Sequence, residues 1–542
     1  MIIPTDATSY EAVVQQFRWQ VPERFNIAEA TCDRHAEARP DAPAVLLDRG
    51  DGNRRTTTFA ELKAMAERMA AGFARLGVQR GDRVAVTLGQ VVETLAVHLA
   101  VYKLGAIAVP IAPLYGTEGL AYRLEDSGTR LLVTDALGLV KVRPARMRLP
   151  ALKQVVVAAG DGTAGTVRLE DLLADRKAAP TADTLAQDPA LLFYTSGTSG
   201  PAKGVLHAHR VLIGNLPSFQ LVFNLAPQAG DVFWTPSVWS WAGSLLEVVL
   251  AALFFGYPVV AAPGRFSPER SYQILADNRV TCPFLAPTAL RLMRASPPAR
   301  DVRLAVRAIM TGGERASPEV LDWARRTFRA PVNDVYGQTE ANDAASGCEA
   351  LFPTPPGAIG RIVPGRRVIV LDGEGRQLPP GELGEIAVGR EDPIVMLGYW
   401  NGPDKTAETM TGGWVRTGDA GFLDRQGFLH FQGRLDDLIV TGGYRVGPEE
   451  VEAELVAHPA VVEAGAVGVP DEVLGEAVWA FVVLKPGHTP GEALVEELQA
   501  FVKARLAGYA YPRRIAFAES LPKTDSGKIR RAELRRRAAP AS

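Results

Sequence analysis

Apolar positions along this chain recur with two alternating rhythms. In residues 60–76, AELKAMAERMAAGFARL, Leu62, Met65, Met69, Phe73 and Leu76 fall at helical spacing, and Gly77 follows as a stop. Residues 83–88 (RVAVTL) read as a buried strand, 92–105 as a helix and 106–110 (AIAVP) as the next strand. Short strand patterns return at 130–135, 154–159 and 190–196. Strands alternating with helices predict an α/β fold with largely parallel sheets. The most apolar stretch, residues 244–262, is interrupted by Glu247, Gly256 and Pro258. It reads as a buried helix running into a buried strand, and not as a membrane span.

The texture changes at residue 434. Pro448 suits a first helical turn, and Glu449, Glu450 and Glu452 favour its positive end. Strand patterns at 464–469 and 478–484 and a helix at about 491–506 complete a small α+β unit. The expected domains are therefore 1–433 and 434–542. A length of 542 residues requires more than one core.

Composition narrows the function classes. The chain is 47% hydrophobic and 22% charged with a formal net charge of −2, which gives no signature of nucleic-acid binding. The basic run Lys528 to Arg537 reads as a solvated helix face. Cys32, Cys282 and Cys348 are far apart and odd in number, which fits reduced cytoplasm better than a disulfide framework. The first residues lack the basic flank and apolar core of a signal peptide.

The chemistry centres on FYTSGTSGPAKGVLH, Phe193 to His207. An apolar strand that enters a Gly/Ser/Thr loop offers many backbone N–H groups at close range, which suits phosphate, and Lys203 adds a cation. A Gly/Ser stretch alone would read as a linker. It is not a Walker loop: the only Gly-Lys pair is Gly527-Lys528, and Pro522 stands where that spacing requires glycine. His207 and His209 have no further ligand cluster nearby and read as polar loop or helix-start residues.

This loop resembles the phosphate-binding loop of the adenylate-forming superfamily, which includes acyl-CoA synthetases, peptide-synthetase adenylation domains and luciferases. Four further segments resemble that family's series in order: TGGER (311–315), NDVYGQTEAN (333–342), residues 415–452 and LPKTDSGKIRR (521–531). PAKG departs slightly from the family, which more often has Pro directly before the lysine; the lysine itself stays in register. The resemblance implies a large N-terminal domain of layered parallel sheets with helices, plus a small mobile α+β C-terminal domain. It implies ATP, Mg2+ and coenzyme A as cofactors and a small carboxylic acid as substrate. A homodimer is left open.

Residue by residue, the resemblance assigns Thr195, Ser196, Gly197, Thr198, Ser199, Gly200 and Lys203 to the ATP phosphates. Gly312, Gly313, Glu314, Asp334, Val335, Tyr336, Gly337 and Gln338 would line the adenine side. Thr339 would contact the α-phosphate and Glu340 would hold the metal. Asp419 carries two acceptor oxygens for the ribose hydroxyls, with Arg434 as a second contact. Lys528 would act on the carboxylate and α-phosphate, and Asp436 would be the hinge. Gly442, Gly443, Tyr444, Arg445, Tyr511 and Arg513 would meet coenzyme A, while Trp239 and Gly337 would shape the acyl pocket. At position 337 acetate-specific members of the family carry Trp, so glycine implies room for a longer acid, unless it serves backbone shape alone.

The expected activity is an AMP-forming carboxylic acid:CoA ligase for a short- or medium-chain, branched or aromatic acid. Two alternatives stay open at this point: transfer of the acyl group to a carrier protein, and nucleotide binding without catalysis.

Overall fold

The computed structural model describes residues 2–158, 165–174, 177–195, 202–298, 302–314, 316–441, 444–506, 510–523 and 529–538, with the backbone alone at Arg445. The helix Phe59–Arg75 starts on a reciprocal cap. The Thr58 hydroxyl accepts the Glu61 N–H at 3.2 Å, and the Thr58 N–H donates to the Glu61 carboxylate at 2.9 Å. Of its apolar stripe, Leu62, Met69 and Phe73 are wholly buried and Met65 and Leu76 half-buried, and the helix packs against Val92–Lys103.

These helices cover an eight-stranded sheet. Strand Arg83–Thr87 pairs in parallel with Ile107–Pro110 and with Leu131–Thr134, and the latter pairs with Gln154–Val157. Pro189–Thr195 joins Ile107–Pro110 in parallel and then folds back antiparallel into Lys203–Ala208. A five-stranded sheet is built on parallel pairs of Val259–Ala261 with Pro43–Asp48 and with Phe233–Trp234. The apolar stretch of residues 244–262 is the predicted helix-then-strand. It includes a π-helical turn, Leu245–Leu250, before Ala251–Phe254 and the strand Val259–Ala261.

A third, nine-stranded sheet adds something the sequence pattern does not separate out. Only Ile309–Gly312 and Val332–Gln338 pair in parallel, and the other pairs along it are antiparallel. Parallel pairing needs a long crossover, whereas residues 339–341 provide only a tight turn, so the chain must return antiparallel.

The last strand of that sheet, Phe428–Arg434, is followed by the short turn Leu435–Asp437 and a separate five-stranded sheet that begins at Ile439. Here Val461–Asp471 and Gly475–Leu484 form a long antiparallel pair, flanked by the helices Pro448–Ala457 and Glu492–Arg505. The basic helix Arg531–Ala538 is not simply solvated. Arg531 is nearly buried and donates to Glu452 at 2.8 Å, and Arg535 donates to Asp437 at 2.7 Å. Opposed carboxylates on neighbouring elements, invisible as a local pattern, draw these arginines inward. The three cysteines are free and buried. Among the described residues no helix is long and apolar enough to cross a membrane.

Candidate functional site

Thr195 and Lys203 are direct cross-strand partners at the ends of their two strands. The glycine-rich segment is therefore a hairpin connection, and both ends of it are fixed by the sheet. Residues 196–201 lie outside the described residues, so the expectations for Ser196, Gly197, Thr198, Ser199 and Gly200 do too. The far side is anchored where the Tyr122 hydroxyl donates to the Ala202 carbonyl at 2.8 Å. Lys203 Nζ stands 5.6 Å from the centre of the Tyr399 ring, within cation–π range.

Tyr399 links this cation to the central hairpin. Its hydroxyl donates to Glu340 Oε1 at 2.8 Å, and burial together with the Glu340 charge raises its pKa, so it stays a donor. Sequence reasoning missed Tyr399, because nothing local marks a tyrosine that lies 59 residues beyond its partner. His207 was also misjudged. It is wholly buried on a strand, not in a loop, and its Nε2–H donates to the Thr339 carbonyl at 2.7 Å. Burial lowers its pKa to about 4, which keeps the ring neutral. His209, equally buried, accepts the Ile27 N–H at 3.2 Å through Nδ1. A strand partner and a packed interior claim both rings.

On the other arm of the same hairpin, Tyr336 and Gln338 donate to Asp419 Oδ2 at 2.8 and 2.9 Å. Arg434 donates to Asp419 Oδ1 at 2.8 Å from the facing strand. Burial pushes the Asp419 carboxyl up, while Arg434 and the neutral donors pull it back toward the ionised form. A carboxylate has about four acceptor positions. Three are used here, and the Arg434 Nε–H has no partner among the described residues. The expected adenine-side residues Tyr336 and Gln338 thus also orient Asp419.

Other expected residues are placed with varying engagement. Glu314 accepts from the Thr288 N–H at 3.0 Å and from Arg291 at 2.7 Å, so its side chain caps the helix Pro287–Ala295. Gly312 and Val335 are cross-strand partners, and the half-buried Asp334 accepts the Val335 N–H at 2.9 Å. Gly313 and Gly337 are exposed. A Cβ on Gly337 would lie 2.2 Å from the Asn342 carbonyl oxygen, so any larger residue there must shift the backbone of the hairpin. Trp239 lies in the main core at 1% exposure, whereas Trp241 is half-buried and stacks on Phe284 at 5.6 Å.

In the C-terminal unit, Asp436 is exposed in the turn Leu435–Asp437, where its carbonyl accepts from Arg535 at 3.0 Å. Tyr444 is exposed, and the Arg513 guanidinium sits 4.4 Å from the Tyr511 ring centre and donates to its hydroxyl. Lys528, Gly442 and Gly443, and the Arg445 side chain, lie outside what is described.

Among the described residues, Lys203, Tyr399 and Glu340 thus lie together, and Asp419 is held by Arg434, Tyr336 and Gln338. The chain belongs to the AMP-binding enzyme family: that family's model matches residues 32–400, and the model of the AMP-binding enzyme C-terminal domain matches residues 450–528. The chain is 34% identical to acetyl-coenzyme A synthetase of Bacillus subtilis (strain 168) over 97% of its own length and 94% of that protein. It is 32% identical to the mitochondrial acyl-coenzyme A synthetase ACSM3 of Mus musculus over 98% of itself and 94% of that protein. Among solved structures, the anthranilate CoA ligase AuaEII in complex with anthranoyl-AMP superposes with a TM-score of 0.88, at 27% identity, covering 96% of this chain and 98% of that one. The protein is an acyl-CoA synthetase, an acid:CoA ligase of the AMP-forming class.

Proposed function

We propose that the protein activates a short- or medium-chain, branched or aromatic carboxylic acid and passes it to coenzyme A. A carboxylate oxygen attacks the α-phosphorus of ATP and pyrophosphate leaves. The coenzyme A sulfur then attacks the acyl carbon, AMP leaves with the bonding pair, and the thiol proton passes to solvent. One observation carries the reading: a single hairpin presents Tyr336 and Gln338 to Asp419 on one arm and Glu340 to Tyr399 at its turn. A nucleotide laid along that hairpin would have its ribose at Asp419 and its phosphates near Lys203.

Each residue has a defined task. The loop from Thr195 to Lys203 binds phosphate through backbone N–H groups and a cation. His207 and Tyr399 hold the Thr339–Glu340 turn. Lys528 supplies positive charge where the acyl carboxylate meets the α-phosphate. The segment around Asp436 lets residues 434–542 reorient between the half-reactions, and Gly442, Gly443, Tyr444, Arg445, Tyr511 and Arg513 then receive coenzyme A. The acyl group lies toward Trp239 and Gly337.

Glu340 fits a magnesium ion. Tyr399 occupies Oε1, the second oxygen has no partner among the described residues, and no group of three or more acidic, His or Cys ligands converges among them. That suits a cation held by one carboxylate and the nucleotide's own phosphates. When bound, it would neutralise charge on the phosphates. The setting proposed is the cytoplasm, and light scattering would decide whether two copies pair.

The test separates the half-reactions. Lys528→Ala should lose pyrophosphate release with acid and ATP but keep thioester formation from synthetic acyl-AMP and coenzyme A. Equal loss of both would remove the role given to Lys528. Absence of pyrophosphate release by the unaltered protein with every acid would remove the ligase reading.

A further inference from the structure

Two carboxyl groups close to the central hairpin, Glu247 and Asp343, are not used by the chemistry above. Glu247 sits in the π-helical turn Leu245–Leu250. Its neighbours Leu245, Leu246, Val248, Val249 and Leu250 are all buried, while Glu247 keeps partial exposure. The point where a Cβ on Gly243 would stand is 3.3 Å from Glu247 Oε2, 3.4 Å from Phe284 and 3.6 Å from Trp241. The Trp241 tip in turn lies 2.9 Å from the Cβ position of Gly313. Glu247 therefore belongs to the aromatic wall that borders exposed Gly313.

Its other neighbour comes from the central hairpin. Its carboxyl feels the charge of Asp343, which is 3% exposed and accepts the Ser218 hydroxyl at 2.8 Å. Asp343 is the direct cross-strand partner of Gly337. The π turn that carries Glu247 thus lies beside Trp241, which reaches Gly313 just past the strand Ile309–Gly312.

Burial raises Asp343 to about 6 and Glu247 well above the usual carboxylate range, with the Asp343 charge adding to the shift on Glu247. The charge of the buried Arg366 guanidinium, itself bonded to Asp392 at 3.1 Å and to the Gly214 carbonyl at 2.9 Å, pulls both carboxyls back toward the ionised form. A further polar group faces the same demand. Ser244, three residues before Glu247 on the same helix, is wholly buried and its hydroxyl has no partner among the described residues. Buried carboxyl and hydroxyl groups are costly in an apolar wall, and single π turns recur at functional positions.

We propose that Glu247, beside Asp343, is a specificity residue in the acyl pocket. It accepts a hydrogen bond from an amine or hydroxyl that the substrate acid carries away from its reacting carboxylate. The proposal rests on the ligase reading and narrows its substrate class from hydrocarbon acids to donor-bearing ones. A site built to bond a donor discriminates strongly against an analogue without one, because its own polar group is then left unpaired.

The experiment compares isosteric pairs: aminobenzoates and hydroxybenzoates against toluates, and ω-amino alkanoates against alkanoates one methyl longer. Pyrophosphate release and thioester formation are read with each. For at least one pair, kcat/KM should favour the donor by on the order of tenfold or more. Glu247→Leu should shift that ratio toward the methyl acid, and Glu247→Gln should retain part of the preference. Equal or better turnover of the methyl acids by the unaltered protein overturns the proposal and leaves the ligase reading intact. No turnover of any acid overturns both. If Glu247→Leu does not fold, the ratios of the unaltered protein decide alone.

Discussion

Asp419 and Arg434, fifteen positions apart in sequence, stand directly opposite each other on neighbouring strands and form an ion pair at 2.8 Å. The pair is asymmetric. The Asp419 side chain is nearly buried at 8% exposure, whereas Arg434 keeps 35%. Removing the arginine leaves the carboxylate with Tyr336 and Gln338 as neutral donors only. Its pKa, already raised by burial, would rise further.

Arg434→Met should therefore weaken ATP binding and destabilise the nine-stranded sheet together. Loss of a partner from a fully buried pair costs about 3–5 kcal/mol. Solvent screening on the arginine side reduces this to roughly 1–3 kcal/mol. Urea unfolding and the KM for ATP measure the two effects. An unchanged KM with normal stability would remove Arg434 from the nucleotide site.

The hydroxyl of Tyr399 offers a cleaner deletion. Tyr399→Phe keeps the ring beside Lys203 and removes one hydrogen bond to Glu340. A bond to a charged group contributes about 1.5–3 kcal/mol, so acyl-AMP formation should fall by roughly one to two orders of magnitude. The thioester step from supplied acyl-AMP should change little. An unaltered first step would show that Glu340 needs no orientation from Tyr399.

The legible parts of this molecule are those written in neighbouring residues. The stripe Leu62, Met69, Phe73 and the stop at Gly77 gave the helix Phe59–Arg75, because amphipathic spacing is local. Motif order singled out Asp419 and Glu340 as candidates, and the structure adds the partners that hold them, Tyr336, Gln338, Arg434 and Tyr399. The positions of His207 and Tyr399 were not legible, since their partners lie 132 and 59 residues away and only pairing of strands brings them together. Arg531 looked like one of a solvated series, and what buries it is Glu452 on another helix. Glu247 read simply as a break in an apolar run, because neither its π turn nor Asp343 leaves a local trace.

Gly337→Ala tests whether this glycine sets acyl length or backbone shape. An added Cβ would meet the Asn342 carbonyl oxygen at 2.2 Å and the Asp343 Cα at 2.8 Å, both backbone atoms that cannot swing aside. The hairpin must shift, and it carries Glu340 and Tyr336 with it. Activity should fall by a similar factor with every acid, together with a lower melting temperature. A loss confined to longer acids, in a normally stable variant, would return Gly337 to the role of pocket floor.

The neutral state of His207 makes a prediction about pH. Its pKa is about 4 in the folded protein, against about 6.5 for an unperturbed histidine. Between these values the unfolded chain binds a proton that the folded protein does not. Protonation therefore favours unfolding, and the contribution of His207 to stability is present above about pH 6.5 and is lost as pH falls toward 4. Well inside this window the slope for one such group is about 1.4 kcal/mol per pH unit. Asp343 works in the opposite sense, because its folded pKa is raised to about 6 and its stabilisation declines as pH rises. Total stability against pH mixes these with other shifted groups such as His209 and Glu452, and the difference between proteins isolates His207. His207→Gln keeps a side-chain N–H that can face the Thr339 carbonyl and does not titrate. Unfolding free energies from urea titrations between pH 7 and pH 5 should fall less steeply for the variant, by about 1.4 kcal/mol per pH unit at the acid end. Parallel curves for the two proteins would mean that His207 accepts a proton in place, and that the Thr339 turn tolerates a charged ring beside it.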